Sequence, residues 1–176
     1  GMRRTVFAVP FETAPVIWSS FDTSVARLQR RALLKALQES GIEQTDFWIA
    51  EAESRMLAFL DEHPGSTSTQ TSSDDPYLGY RLPLNGPGAA TSSQSVASRL
   101  LTLLSAEGRV IRARPKGGWT STQFTWVVTD HWRGDWPERP SIDEGDAQIA
   151  ESWLAGHGPA TVDDLAWWTG WPKGRS

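Results

Sequence analysis

The sequence predicts a mainly helical α+β fold in which a β-hairpin follows a set of helices. Three observations carry this expectation. Apolar residues recur at helical spacing in residues 22–40, 47–62 and 94–106. Two β-favouring segments, Val110-Ile111 and residues 124–128 (FTWVV), flank a turn containing Gly117 and Gly118. The 176 residues include ten Trp and no Cys. Large aromatics must therefore help build the core, and disulfides, cysteine-ligated zinc and thiol catalysis are excluded.

The elements follow in order. Residues 5–9 (TVFAV) read as a short strand stopped by Pro10. Val25, Leu28, Leu33, Leu34 and Leu37 form the stripe of a helix over residues 22–40, ended by Gly41. A second helix spans residues 47–62, with Asp46 as its N-cap and Pro64-Gly65 as its stop. Residues 66–73 are all polar and read as a poor helix or a loop. Residues 74–90, with three Pro and three Gly, read as an irregular connection. Ser92 or Ser93 would cap a third helix over residues 94–106, closed by Gly108. The hairpin comes next, then a Trp- and Pro-rich linker. A fourth helix spans residues 144–157. Thr161 to Asp164 resembles a capping box and opens a last helix through Trp168, stopped by Gly170.

The order helix, polar segment, helix, hairpin is that of a winged helix-turn-helix, with the third helix as recognition helix and the hairpin as wing. The domain expectation is an N-terminal segment 1–43, a winged-helix module 44–130, a linker 131–142, and residues 143–176 as the start of a further module in a tandem array. Net charge is −4, which argues against a uniformly basic nucleic-acid binder. The charge is uneven, however. Residues 99–116 hold Arg99, Arg109, Arg112, Arg114 and Lys116 against Glu107 alone, whereas residues 130–164 are strongly acidic. Ser95, Ser98 and Arg99 would approach a DNA groove from the third helix. Arg112, Arg114 and Lys116 would hold phosphates, and Trp119 is the aromatic candidate beside the wing tip. Arg112 and Arg114 alternate at period two and are expected on one strand face. The plainer reading makes them the solvated face of an edge strand.

Residues 153–171 (WLAGHGPATVDDLAWWTGW) resemble the central signature of a bacterial family of winged-helix DNA-binding proteins that includes the AlkZ-type DNA glycosylases. Residues 3–10 (RRTVFAVP) and 108–121 (GRVIRARPKGGWTS) resemble further characteristic stretches. The resemblance implies tandem winged-helix modules in a longer chain, of which this sequence looks like the middle, with duplex DNA as partner and DNA repair as the setting. In the glycosylase members it implies a catalytic Gln-x-Gln or Gln-x-Asp motif in an N-terminal module. No Gln-x-Gln occurs here. Gln44-Thr45-Asp46 fits Gln-x-Asp by letters, but Asp46 is already assigned as a cap, so no catalytic residue is carried over.

The remaining expectations are brief. Asp163 and Asp164 are first-turn helix acids rather than an acid/base pair. His157 is a helix-end residue. Arg27, Arg31 and Lys35 share a helix face that is solvated or touches a second phosphate. No metal or cofactor is expected, since His63, His131 and His157 are scattered and Gly117-Gly118 lacks any nucleotide fingerprint. No apolar stretch approaches the roughly 18 residues needed to span a bilayer, and Arg3-Arg4 precedes only a short apolar patch, so a cytoplasmic location is expected. A scaffold, regulator or self-associating module with a Trp-rich surface is the competing function class.

Overall fold

The computed structural model describes residues 9–73, 75–83, 93–118 and 120–176. The strand expected at residues 5–9 lies, apart from Val9, outside them. A 3-10 turn (Phe11–Thr13) leads into α1 (Ala14–Glu39), followed by α2 (Thr45–Glu62), β1 (Ser66–Thr67), α3 (Ser68–Ser72), β2 (Arg81–Pro83), β3 (Ser93–Ser95), α4 (Val96–Ala106), β4 (Val110–Pro115), β5 (Phe124–Val128), α5 (Thr129–Trp132), α6 (Ile142–His157) and α7 (Val162–Thr169). The chain forms two compact units, Ala26–Gly134 and the pair of segments Gly1–Val25 and Asp135–Ser176. The division falls inside α1. α1 begins earlier than residue 22 because Pro15 sits in the first helical turn, where its missing N–H would be unpaired in any case.

In the unit Ala26–Gly134 the core is Leu33 and Leu37 of α1, Ile49, Met56 and Leu60 of α2, and Val96, Leu100, Leu101, Leu103 and Leu104 of α4. Gln44, not Asp46, occupies the N-cap position of α2 and makes no side-chain cap bond; Asp46 lies inside the first turn. Ser95 rather than Ser92 or Ser93 caps α4, because residues 93–95 are extended and pair with residues 81–83. β1, β5 and β4 form an antiparallel sheet in that order, with Ser66 opposite Trp126 and Val110 opposite Val128. At the tip, Gly117 adopts φ +91°, a conformation that only glycine takes without strain. The Lys116 N–H donates to the Gln123 carbonyl at 2.7 Å and closes the loop. At the base, the Thr129 hydroxyl donates to the Gly108 carbonyl at 2.6 Å and ties β5 to the end of α4.

α3 forms without an apolar stripe because its polar groups satisfy one another. Thr67 and Gln70 make a capping box. The hydroxyls of Thr71, Ser72 and Ser73 each donate to the carbonyl three residues back. The following turn hangs on Asp75, whose carboxylate accepts from the N–H groups of Tyr77 (2.8 Å) and Leu78 (2.9 Å) and from Arg55 (3.1 Å). Burial pushes the Asp75 carboxyl up, but the Leu78 N–H, the Arg55 guanidinium and the Tyr77 N–H outweigh it and hold it below the usual range. A depressed carboxylate stabilises the fold above its unfolded pKa of about 3.9, and that contribution fades as pH falls through the folded value. Asp75→Asn is therefore expected to lose about 1–2 kcal/mol at pH 7. Urea unfolding at pH 7 and at about pH 3 checks this: the gap between wild type and variant shrinks at the lower pH, and an unchanged gap contradicts the assignment.

In the other unit, Phe21, Ile149 and Trp171 are buried with Val16, Ile17 and Trp168 packed on them. Gly145 of α6 allows close approach to α1, since a Cβ there would meet the Ser20 Oγ at 2.9 Å and the Ser19 Cβ at 3.2 Å. Trp136 packs between Phe11 and Trp18, so part of the expected linker belongs to this unit's packing. Arg175 holds Asp146 with two bonds and donates to the Ser20 carbonyl. The capping box expected at Thr161 and Asp164 is present, and Gly170 ends α7 in the left-handed conformation. Ser141 and Glu144 make a second box that starts α6 at Ile142.

Candidate nucleic-acid interface

The hairpin carries the cations that the sequence singles out. Arg114 and Lys116 are exposed. Among the described residues, no carboxylate lies within ion-pair distance of Arg99, Arg112, Arg114 or Lys116. Arg112 differs from its neighbours. Its guanidinium carbon lies 3.1 Å from the centroid of the Phe124 ring, and its Nε is buried with no hydrogen-bond partner among the described residues. Burial pulls this guanidinium down from the usual arginine range. Arg112 is half-buried where Arg114 is exposed, and the register of β4 against β5 shifts between Arg112 and Pro115.

The other basic residues are engaged. Arg30 and Arg109 at the base of the hairpin close a four-member cluster with two acids. Arg30 meets Glu53 and Glu107 at 2.7 Å each, and Arg109 meets Glu53 at 2.8 Å and Glu107 at 3.6 Å. Burial pulls the Arg30 guanidinium down, but its bonds to Glu107 and Glu53 prevail and hold it above the usual range. On α1, Arg27, Arg31 and Lys35 are exposed, and Lys35 lies 3.7 Å from Glu39.

On α4 the three expected contacts separate. Ser95 is buried, and its hydroxyl accepts from the Ser98 N–H as the helix cap, so it does not present a free face to solvent. Ser98 is half-buried, with its Oγ 3.2 Å from the Ser95 Oγ. Arg99 is half-buried and lines a hollow with Gln29, Gln94 and Thr102. Trp119 lies outside the described residues. A cleft of about 200 Å³ brings Ser98 and Arg112 together with Ser68, Thr69, Gln123 and Phe124. The last four were not singled out from the sequence. The only signal for Ser68 and Thr69 is the Thr67-to-Gln70 capping spacing, which marks a helix start beside Arg112 once the fold is known.

Other candidate positions resolve simply. Gln44 and Asp46 are both exposed at the start of α2. Two bonds from Thr161, its hydroxyl and its N–H, hold the Asp164 carboxyl below the usual range, and Asp163 pairs with Lys173 at 2.8 Å. His157 ends α6, its ring nitrogen 3.2 Å from the Trp153 carbonyl. Among the described residues, no three His, Asp or Glu side chains group as a metal site, and no helix is long and apolar enough to cross a membrane.

A family model described as DNA glycosylase AlkZ-like matches residues 1–176. No curated protein and no solved structure matches the chain.

Proposed function

The chain belongs to the AlkZ-like DNA glycosylase family, and from that premise we propose that its unit Ala26–Gly134 is a winged helix that grips duplex DNA. The observation that carries this reading is the contrast along one hairpin: among the described residues Arg112, Arg114 and Lys116 have no acid in reach, while Arg109 at its base is held by two. Retained, unpaired positive charge on a protein of net charge −4 suits a polyanion. The order α2, β1, α3, β2, β3, α4, β4, β5, with β1-β5-β4 as one sheet, supports α4 as recognition helix and the hairpin as wing.

In this reading Arg114 and Lys116 contact phosphates, Ser98 and Arg99 approach the groove, and Trp119 joins them beside the tip. Ser95 serves the helix cap. Residues 143–176 contribute to a neighbouring module of a tandem array. The chain holds DNA without cleaving the glycosidic bond, since it has no Gln-x-Gln and its Gln44 and Asp46 stand exposed on a helix start. A chromosomal ligand implies a cytoplasmic site of action in a bacterium. The second reading, a protein-interaction scaffold, is favoured by one observation, the 69% exposure of Trp167. Most other Trp side chains pack within the units, which weighs against a surface built on them.

Binding of a labelled duplex measured by anisotropy from about 50 to about 200 mM salt tests the proposal. We expect a log–log slope of about −3 to −4, from about three to four neutralised phosphates. A flat response or no binding overturns it. Arg109→Ala serves as the control, with affinity expected to stay within about twofold while stability drops by about 1 kcal/mol, a modest figure because the pair is part-exposed.

A further inference from the structure

We propose that the cleft between α3, α4 and β5 is a built site for one phosphate group, held by Arg112 together with Ser98, Ser68 and Thr69. This deepens the proposed function, and it rests on that reading only for the source of the phosphate. Three observations carry it.

The first is an uncompensated charge. Arg30, Arg55, Arg109 and Arg175 each sit against a carboxylate. Arg112 is half-buried against Phe124, its Nε is shut away without a partner, and no acid is in reach among the described residues. Taking a cation partly out of water without a counter-charge is unfavourable, and an anionic ligand removes that penalty.

The second is the donor set. Arg112 lines the cleft together with Ser68, Thr69 and Ser98, three residues that carry hydroxyls. The Ser68 and Thr69 hydroxyls have no partner among the described residues. The Ser95 and Ser98 oxygens lie 3.2 Å apart. With Ser95 donating to Ser98, the Ser98 proton is left for a ligand, which makes Ser95 a positioning residue. Phosphate oxygens only accept, and the guanidinium and the hydroxyl protons can all donate to them, while the guanidinium adds the opposite charge that a neutral nucleobase edge would not use.

The third is size. About 200 Å³ holds a phosphate and leaves room for an attached sugar. The guanidinium fork, rather than a point charge, suits two phosphate oxygens at once.

A phosphodiester in a strand and a free phosphate present the same oxygens, and the experiment separates them. Duplexes carrying a single neutral methylphosphonate at successive positions are titrated against wild type, Arg112→Gln, Arg112→Lys and Ser98→Ala, with thermal unfolding of each variant as a check on folding. For a strand phosphate, one position costs wild type about tenfold and costs Arg112→Gln nothing further. Arg112→Lys recovers only part of the loss, and Ser98→Ala loses about threefold. Equal losses in wild type and Arg112→Gln at every position overturn the strand assignment. If Arg112→Gln binds duplex like wild type while Arg114→Ala with Lys116→Ala does not, the cleft proposal fails and the wing reading stands. If no protein binds duplex, inorganic phosphate is titrated while the Arg112 Nε–H resonance is followed by NMR. Saturable shifts, displaced about threefold to higher phosphate concentration in Ser98→Ala, keep the phosphate site and discard the wing. No shift discards both.

Discussion

Replacing Arg114 and Lys116 together with alanine is expected to weaken duplex binding about 10- to 100-fold near 100 mM salt and to reduce the magnitude of the salt slope by about 2. Both side chains are exposed and meet no carboxylate among the described residues. Their removal breaks no ion pair among the described residues. Stability should stay within about 0.5 kcal/mol of wild type. The effect should also be uniform across DNA sequences, because phosphates carry no base identity. Anisotropy titrations at several salt concentrations, paired with urea unfolding, check each part. A loss of affinity with an unchanged slope would assign these residues a role other than phosphate neutralisation.

Leu100→Ala is expected to remove about 2–5 kcal/mol of stability. Leu100 is fully buried on α4, within the cluster formed by α1, α2, α4 and β4. Truncation removes transfer free energy and leaves a cavity that rigid helix neighbours fill poorly. A domain of this size has only about 5–15 kcal/mol in all, so the variant should unfold at a much lower urea concentration. Leu28→Ala on α1 is the contrast. Leu28 is nearly half exposed, and its loss should change stability by no more than about 0.5 kcal/mol. Comparable losses for the two variants would contradict the burial pattern.

Where a physical signal is local, the sequence reveals the structure. The leucines of α4 announce their buried side by spacing. The Thr161-to-Asp164 box and Gly170 mark both ends of α7, because caps are made by residues three or four apart. The hairpin shows in its β-branched and aromatic residues and in the glycine at its tip. The misses have physical causes. α3 has no apolar stripe, and its stability comes from hydroxyls closing on nearby carbonyls. The start of α1 is hidden by Pro15, which reads as a breaker but is harmless in a first turn.

The candidate site was partly legible. Arg114 and Lys116 stand out by charge, and the structure leaves them exposed. The burial of Ser95 depends on residues 93–95 pairing with residues 81–83, a contact across a connection with no periodic pattern. The Arg112 contact with Phe124 lies beside a register shift between β4 and β5, and neither is marked by residue spacing. The gathering of Ser68, Thr69 and Arg112 joins residues more than forty positions apart. That proximity exists only after β1 pairs with β5.

The most direct test of the central claim is to map which amides respond when the protein is titrated with a short duplex, by heteronuclear NMR at low salt. Duplex binding through the hairpin and α4 should place the largest shifts on residues 112–118 and 98–102 and make them fade as salt rises. Shifts confined to α6 and α7, or none at concentrations that saturate a labelled duplex, would contradict it.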